Sequence, residues 1–400
     1  MAPSVVTWIN DTIMLMKIVT HVKLIPEADQ AAALSATLRT VNEAADWVSA
    51  VAFERGVPRE YELRRHTYAE LKSRGLGAQA AQHTINKVRD AYTTLKANIK
   101  AGNLGKPGSK RRTKAETKPI TFRPEAAQPY DDRCLSRQYD AQTVSIWTIS
   151  GRLKNVRFAC SADALGTLRD HRKGEADLIE RDGVFYLVAT CEVPEAEQYE
   201  PDAFLGVDLG IANIATTSNG YQGAGRKLNR YRKRQIALRK KLQAKGTKSA
   251  RRRLKARSRK EQRHVKNTNH IIAKTMVTEA ERTSAGICLE ELKGIRHRVR
   301  LRKPQRVALH SWAFAQLGDF IVYKARRTGV PVVFVDPAYT SQQCCDCGHI
   351  DKKNRASQAL FTCRNCGVVA HADRNASRNI ARKGEAAWTA GRQSRVPATP

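Results

Sequence analysis

Hydrophobic positions in the first hundred residues change from a two-residue period to a helical one. Between 16 and 24, Met16, Ile18, Val22 and Leu24 face one way and Lys17, His21 and Lys23 the other, which predicts a strand. Pro26 then opens a helical segment in which Leu34, Leu38, Val41, Ala45, Val48 and Ala52 recur at four-three spacing. A shorter helix is predicted from Tyr61 to Lys72. A third carries the stripe Ala81, Ile85, Val88, Tyr92, Leu95 and Ile99. Three helices with one apolar face each predict a small bundle whose stripes are core.

A Gly/Pro-rich stretch at 101–110 ends these helices and is followed by the basic residues Arg111, Arg112 and Lys114. The texture then turns to β as far as about residue 195. Two short runs flank Gly151, and Asp182-Gly183 separates two apolar runs, a hairpin signal. The strand at 16–24 is expected to join this sheet, making the helices an insertion into a β-domain. In the second half, 204–220 reads as two apolar strands around a tight turn, and a long basic helical region follows. Then come a strand at 286–292, a helix at 310–328, a strand at 331–336, a cysteine cluster and a last helix from about Asp373. This alternation predicts an α/β layer fold. Residues 389–400 read as a disordered tail.

Charge narrows the function. The 400 residues carry 71 Lys and Arg against 38 Asp and Glu, a net charge of +33, while 41% are hydrophobic. A folded chain this basic calls for a polyanionic partner. No apolar run has the roughly 18 residues of a spanning helix, and Asp11 and Lys17 interrupt the opening stretch, which lacks a secretion signal. Nine cysteines, an odd number in a long chain, do not suit a secreted disulfide scaffold. The expectation is a cytoplasmic nucleic-acid binder with no membrane partner.

Two acids stand where acids are costly. Asp208 lies in an apolar run with Phe204, Leu205, Val207, Leu209 and Ile211, and Glu290 ends the run Ile287, Cys288, Leu289. An ionised carboxylate there costs several kcal/mol, on the order of a buried unpaired charge, unless something positive compensates. Asp373 stands just before the last helix. Taken singly, Asp208 fits a turn at Gly210, Glu290 a buried arginine and Asp373 a helix cap. Taken together, two carboxylates on central strands and one at a helix start can converge at one edge of a sheet, where three acids repel one another unless a divalent cation is bound. Hard oxygen donors suit Mg2+ or Mn2+, and on so basic a protein the matching substrate is a phosphodiester.

Cys344-x2-Cys347 and Cys363-x2-Cys366 enclose fifteen residues, each pair followed by a glycine, Gly348 or Gly367. This is zinc-ribbon spacing, and four cysteines leave no open coordination position, so the zinc reads as structural. A redox dithiol would need only one pair. Cys345, His349 and His371 are alternative ligands by position. From Arg226 to Lys266, 20 of 41 residues are Lys or Arg, against the single acid Glu261. Such a segment repels itself unless a polyanion lies against it. Arg226, Lys227, Arg230, Arg232, Lys233, Arg234, Arg251, Arg252 and Arg253 are expected nucleic-acid contacts. A second cluster, with Arg296, Arg298, Arg300, Arg302 and Lys303, is expected to act likewise.

The motifs GVDLGIAN around Asp208, CLEEL around Glu290, YTSQQCCDCG at 339–348, CRNCG at 363–367 and HADRNASRNI at 371–380 resemble the TnpB family of transposon-encoded nucleases, relatives of the type V CRISPR effectors. The first 200 residues match only in texture. The resemblance implies an α+β multidomain chain. Its β-barrel-like wedge domain (1–25 and 101–200) would carry a helical recognition insertion (26–100). An RNase H-like (RuvC) nuclease core (201–338 and 368–388) would be interrupted by a zinc ribbon (339–367). Asp208, Glu290 and Asp373 fall on the family's catalytic metal-binding acids, with Asn375-Ala376 following the last. The implied activity is metal-dependent cleavage of double-stranded DNA, directed by a guide RNA from the transposon end and a short target-adjacent motif. The protein would work as a monomer in an RNA–protein complex. Rival readings are a guided DNA-binding repressor that does not cut, and an unguided accessory protein of transposition.

Overall fold

The computed structural model describes residues 14–57, 59–210, 213–292, 314–357 and 359–393. The chain divides into two compact units, Met1–Pro194 and Glu195–Pro400. In the first, β1 (Leu15–Ile25) leads into α1 (Ala28–Arg55), α2 (Glu60–Ser73), α3 (Ala78–Lys100) and α4 (Lys110–Thr117). Next come β2 (Gln128–Tyr130), β3 (Leu135–Gln138), β4 (Thr143–Thr148), β5 (Gly151–Ala159), α5 (Ala162–His171), β6 (Arg172–Arg181) and β7 (Val184–Pro194). The strands form one antiparallel sheet in the order β2-β6-β7-β1-β5-β4-β3. All seven strands turn residues into one core, from Val22 and Leu24 of β1 to Leu135 of β3, so the sheet curls nearly into a barrel.

The expected bundle is only half of what α1 does. Leu34 and Leu38 join the core of the sheet, while Val41, Ala45, Val48 and Ala52 pack with Leu63, Leu71, Ile85 and Val88 of the following helices. One stripe thus serves two cores. A box in which Glu27 and Gln30 satisfy each other's backbone N–H groups starts this helix, and Gly56 at φ 63° ends it.

The second unit contains β8 (Ala203–Asp208), β9 (Asn213–Thr217), β10 (Gln222–Ala224), α6 (Arg226–Lys245), α7 (Lys248–Arg282) and β11 (Ala285–Glu290). After these come α8 (Phe314–Thr328), β12 (Val332–Val335), β13 (Leu360–Thr362), β14 (Val369–His371) and α9 (Ala372–Gln393). Its main sheet runs β10-β9-β8-β11-β12, with β8, β11 and β12 parallel and β9 antiparallel to β8 and β10. Residues of α7 and α8 (Ile272, Met276, Leu317, Ile321) cover one face with Val207, Ile287 and Leu289. Ile380 of α9 packs with Phe204, Cys288 and Val335. Burial on both faces is why β8 and β11 read as continuous apolar runs rather than alternating ones.

Three boundaries differ from the sequence expectation. Residues 195–200 belong to the second unit: Ala196 N–H donates to Arg326 O, and the Tyr199 hydroxyl lies 2.8 Å from Ala285 O. The cysteine-bearing segment extends to His371, because β14 pairs with β13 beyond Gly367. The last helix continues through Gln393, so residues 389–393 are helix rather than tail; 394–400 lie outside the described residues. Among the described residues, no helix is long and apolar enough to cross a membrane.

The close approach of α9 to β8 depends on Gly206. A Cβ there would sit inside the backbone of Ser377 and Ala381. Gly206→Ala is therefore expected to lose about 3 kcal/mol or more in urea unfolding. Gly318→Ala, in open space on α8, should be neutral or gain up to about 1 kcal/mol from helix propensity.

Candidate functional site

The parallel register of β8 and β11 pairs Val207 with Leu289, so Asp208 and Glu290 follow at the same end of adjacent strands. Helix α9, drawn onto β8 at Gly206, brings Asp373 of its first turn to that end. Asp373 is inside the helix rather than before it, and it is 4% exposed. Asp208 feels the other two carboxylates. Burial first, then the charges of Glu290 and Asp373, push the Asp208 carboxyl up to about 7, with Arg355 opposing. Burial also raises Glu290, against the Thr340 hydroxyl and Lys383.

Each acid also has a polar partner or charge nearby. Thr340 Oγ1 donates to Glu290 Oε1 at 2.6 Å. Asn213 Nδ2 donates to Asp373 Oδ2 at 3.0 Å, and Arg355 pairs with Asp373 Oδ1 at 3.2 Å. Sequence reasoning missed Thr340, Asn213 and Arg355. It had a usable signal for Asn375 and Asn379: two asparagines four apart on a helix lie on one face, and both are buried here.

The four cysteine sulfurs are tighter. Among the described residues, Cys344, Cys347, Cys363 and Cys366 form the group of metal-ligand side chains whose donor atoms all lie within 4.8 Å of one another. The two turns need Gly348 at φ 77° and Gly367 at φ 74°. The His349 backbone N–H leads the interactions that lower the Cys347 thiol, while, against the Val368 backbone, the neighbouring Cys347 and Cys363 sulfurs raise that of Cys366, so the crowded thiols compete for protons. Cys345 is excluded from the group: its sulfur lies 3.4 Å from Asp346 Oδ1 and 4.0 Å from Arg378 Nη1. Between the turns, Asn354 is fully buried. Its amide donates to Gln342 O and His349 O, and its oxygen accepts from Arg364 N–H. The next residue is Arg355, so the hub of the cysteine-bearing segment sets the guanidinium against Asp373.

The basic residues separate into three groups. Arg226, Lys227, Arg230, Lys233 and Arg234 are exposed on α6, and Arg251, Arg252 and Arg253 on α7. Arg232 is buried, and desolvation lowers its pKa; it belongs to the contact between the two helices, not to their outer face. Arg296, Arg298, Arg300, Arg302 and Lys303 lie outside the described residues.

Known proteins with this arrangement agree in kind. A family model described as Cas12f1-like, TNB domain, matches residues 314–380, the stretch that contains the four cysteines and Asp373. The chain is thus similar to TnpB-like and Cas12f proteins over this stretch. It is 44% identical over 115 residues to the CRISPR-associated endodeoxyribonuclease Cas12f1 of Sulfoacidibacillus thermotolerans, covering 28% of this chain and 26% of that one. It is 30% identical over 226 residues to Cas12f1 of Syntrophomonas palmitatica, covering 52% and 44%. A TnpB-like protein of Methanocaldococcus jannaschii is 35% identical over 127 residues, covering 32% and 45%. The chain thus spans less than half the length of each of these relatives. In fold, it is similar to the protein chain of a Cas12f1–sgRNA–target DNA complex, with a TM-score of 0.53, 12% identity and coverage of 92% of this chain and 98% of that one.

Two outcomes are expected from this site. A carboxyl whose folded pKa is raised stabilises the fold fully below its unfolded value, and that stability is lost as pH rises through about 7. Without added divalent cation, Asp208→Asn should therefore match wild type near pH 4 and exceed it at pH 8 by up to roughly 4 kcal/mol in thermal unfolding. Cys363→Ser should lower both zinc content, read by elemental analysis, and Tm, whereas Cys345→Ser should leave zinc content unchanged.

Proposed function

We propose that this chain is an RNA-guided DNA endonuclease. In this reading Asp208, Glu290 and Asp373 hold Mg2+ or Mn2+, and Cys344, Cys347, Cys363 and Cys366 hold a structural zinc. The observation that carries it is the convergence of three carboxylates from two strand ends and one helix start, where burial first, and then the charges of Glu290 and Asp373, raise Asp208 to about 7. Their chemistry fits a hard divalent cation: an all-oxygen donor set, largely desolvated, whose mutual repulsion a cation would relieve. The strand order β10-β9-β8-β11-β12, with its antiparallel edge and parallel half, supports an RNase H-like core. The names of the relatives, endodeoxyribonucleases among them, and the guide RNA and target DNA named with the structure of similar fold support the substrate assignment.

Bound divalent cations would supply an activated water and neutralise charge developing on the phosphodiester. The chain's own residues do the positioning. The strand ends fix Asp208 and Glu290 relative to each other, Thr340 orients the Glu290 carboxylate, and Asn213 orients that of Asp373. The exposed cations of α6 and α7 form an electrostatic track for a nucleic-acid backbone, at a net charge of +19 over 226–266. Transposon encoding and work in the cytosol complete the reading.

The test is expression with native flanking sequence, isolation with bound RNA, and assay against matching DNA. Asp208→Ala should reduce cutting by about a hundredfold or more while leaving RNA-dependent DNA binding nearly unchanged. Equal loss of both would make the acid structural, and cutting that persists in excess chelator would remove the metal from the reaction.

A further inference from the structure

The segment 340–345 touches both candidate metal sites. At its start, the Thr340 side chain, 3% exposed, donates to Glu290. Along its length it is riveted to the helix that bears Asp373. Asn379 Nδ2 donates to Thr340 O at 2.9 Å and Gln343 O at 2.7 Å. Asn375 donates to Gln343 O at 2.7 Å and accepts from Cys345 N–H at 2.9 Å. Within the segment, Cys344 is one of the four clustered sulfurs. Asn354 ties Gln342 to the second cysteine turn through Arg364 N–H. Asn354, Asn375 and Asn379 are 0%, 1% and 3% exposed, so none of these bonds can be exchanged for water without opening the packing.

We infer that metal loading of the four cysteines tightens divalent-cation binding at the three carboxylates, through Thr340, Asn375 and Asn379. The inference rests on the functional reading above and adds a linkage to it. An ion on Cys344 and Cys363 pins the two turns that Asn354 joins, and so holds segment 340–345 in the one conformation that orients Glu290 and seats α9. With the ion gone, Glu290 loses its hydroxyl donor and the cation must order both carboxylates as it binds. Arg355 works in the opposite direction, since its charge competes for Asp373. It is a long side chain, 25% exposed, and can swing aside, whereas Thr340 cannot. Linkage requires the effect to be mutual: divalent cation at the carboxylates must hold zinc more firmly at the cysteines by the same factor.

The test uses the full-length chain and titrates Mn2+ by electron paramagnetic resonance, with zinc content measured in parallel. Stripping zinc should weaken Mn2+ binding about fivefold or more, and one added equivalent of zinc should restore it. Thr340→Val, with zinc retained, should show a similar loss, and Thr340→Ser should recover it. Saturating Mg2+ should make zinc harder for a chromophoric chelator to withdraw. If circular dichroism shows that stripped protein unfolds, the Thr340 pair and the Mg2+-dependent zinc competition decide the matter. Mn2+ affinity that stays within about twofold in those measurements overturns the linkage. A tighter Mn2+ site after stripping also overturns it, by making Arg355 the dominant contact. Zinc-loaded wild type that binds no Mn2+, or binds it equally well as Asp208→Ala, would instead overturn the functional reading itself.

Discussion

Repulsion among three carboxylates drawn out of water is the constraint around which the second unit is built. Left to themselves these groups would move apart or take up protons; burial first, and then the charges of Glu290 and Asp373, raise Asp208 to about 7. What keeps them together is apolar packing on both faces of the sheet, with Val207, Ile287 and Leu289 buried on one side and Phe204 and Cys288 on the other. The missing side chain at Gly206 allows α9 to lie directly on β8. The hydrophobic layers thus hold an electrostatically unfavourable arrangement in place.

The cysteine-bearing segment is part of that arrangement rather than an appendage. Two buried asparagines of α9, Asn375 and Asn379, tie it to the carboxylate end of the sheet, Asn354 braces it from within, and Arg355 reaches from its centre to Asp373. Amide side chains suit this work because each offers donors and an acceptor at once. Asn354 and Asn375 use both to connect backbone stretches that no regular ladder joins.

Much of this was legible in the sequence, for reasons that differ by element. The strands ending at Asp208 and Glu290 stood out because burial on both faces leaves an unbroken apolar run, against which a carboxylate is conspicuous. The cysteine turns stood out because ligand spacing is a covalent constraint written directly in the chain. Arg355 was invisible: it follows a short turn without periodicity, and its partner lies across space. Arg232 was invisible for the opposite reason, as one cation among many, with nothing local to mark it as buried. The double use of α1 was out of reach because a stripe of leucines and valines identifies a buried face but not what covers it. Short elements such as β2, β3 and α5 carry too few positions for either period to register.

The place of β1 within its sheet has a consequence for how the chain is made. Leu15 pairs with Pro194 and Ile25 with Arg157, so the strand lies between two partners that are translated far later. At typical synthesis speeds the wait is on the order of ten seconds or more. Through that interval a nascent strand with apolar Leu15, Ile18, Val19 and Val22 leaves the ribosome with both edges open, and its pairing is among the most distant in the chain. Closure of the amino-terminal sheet around its first strand therefore waits on the last strand to emerge.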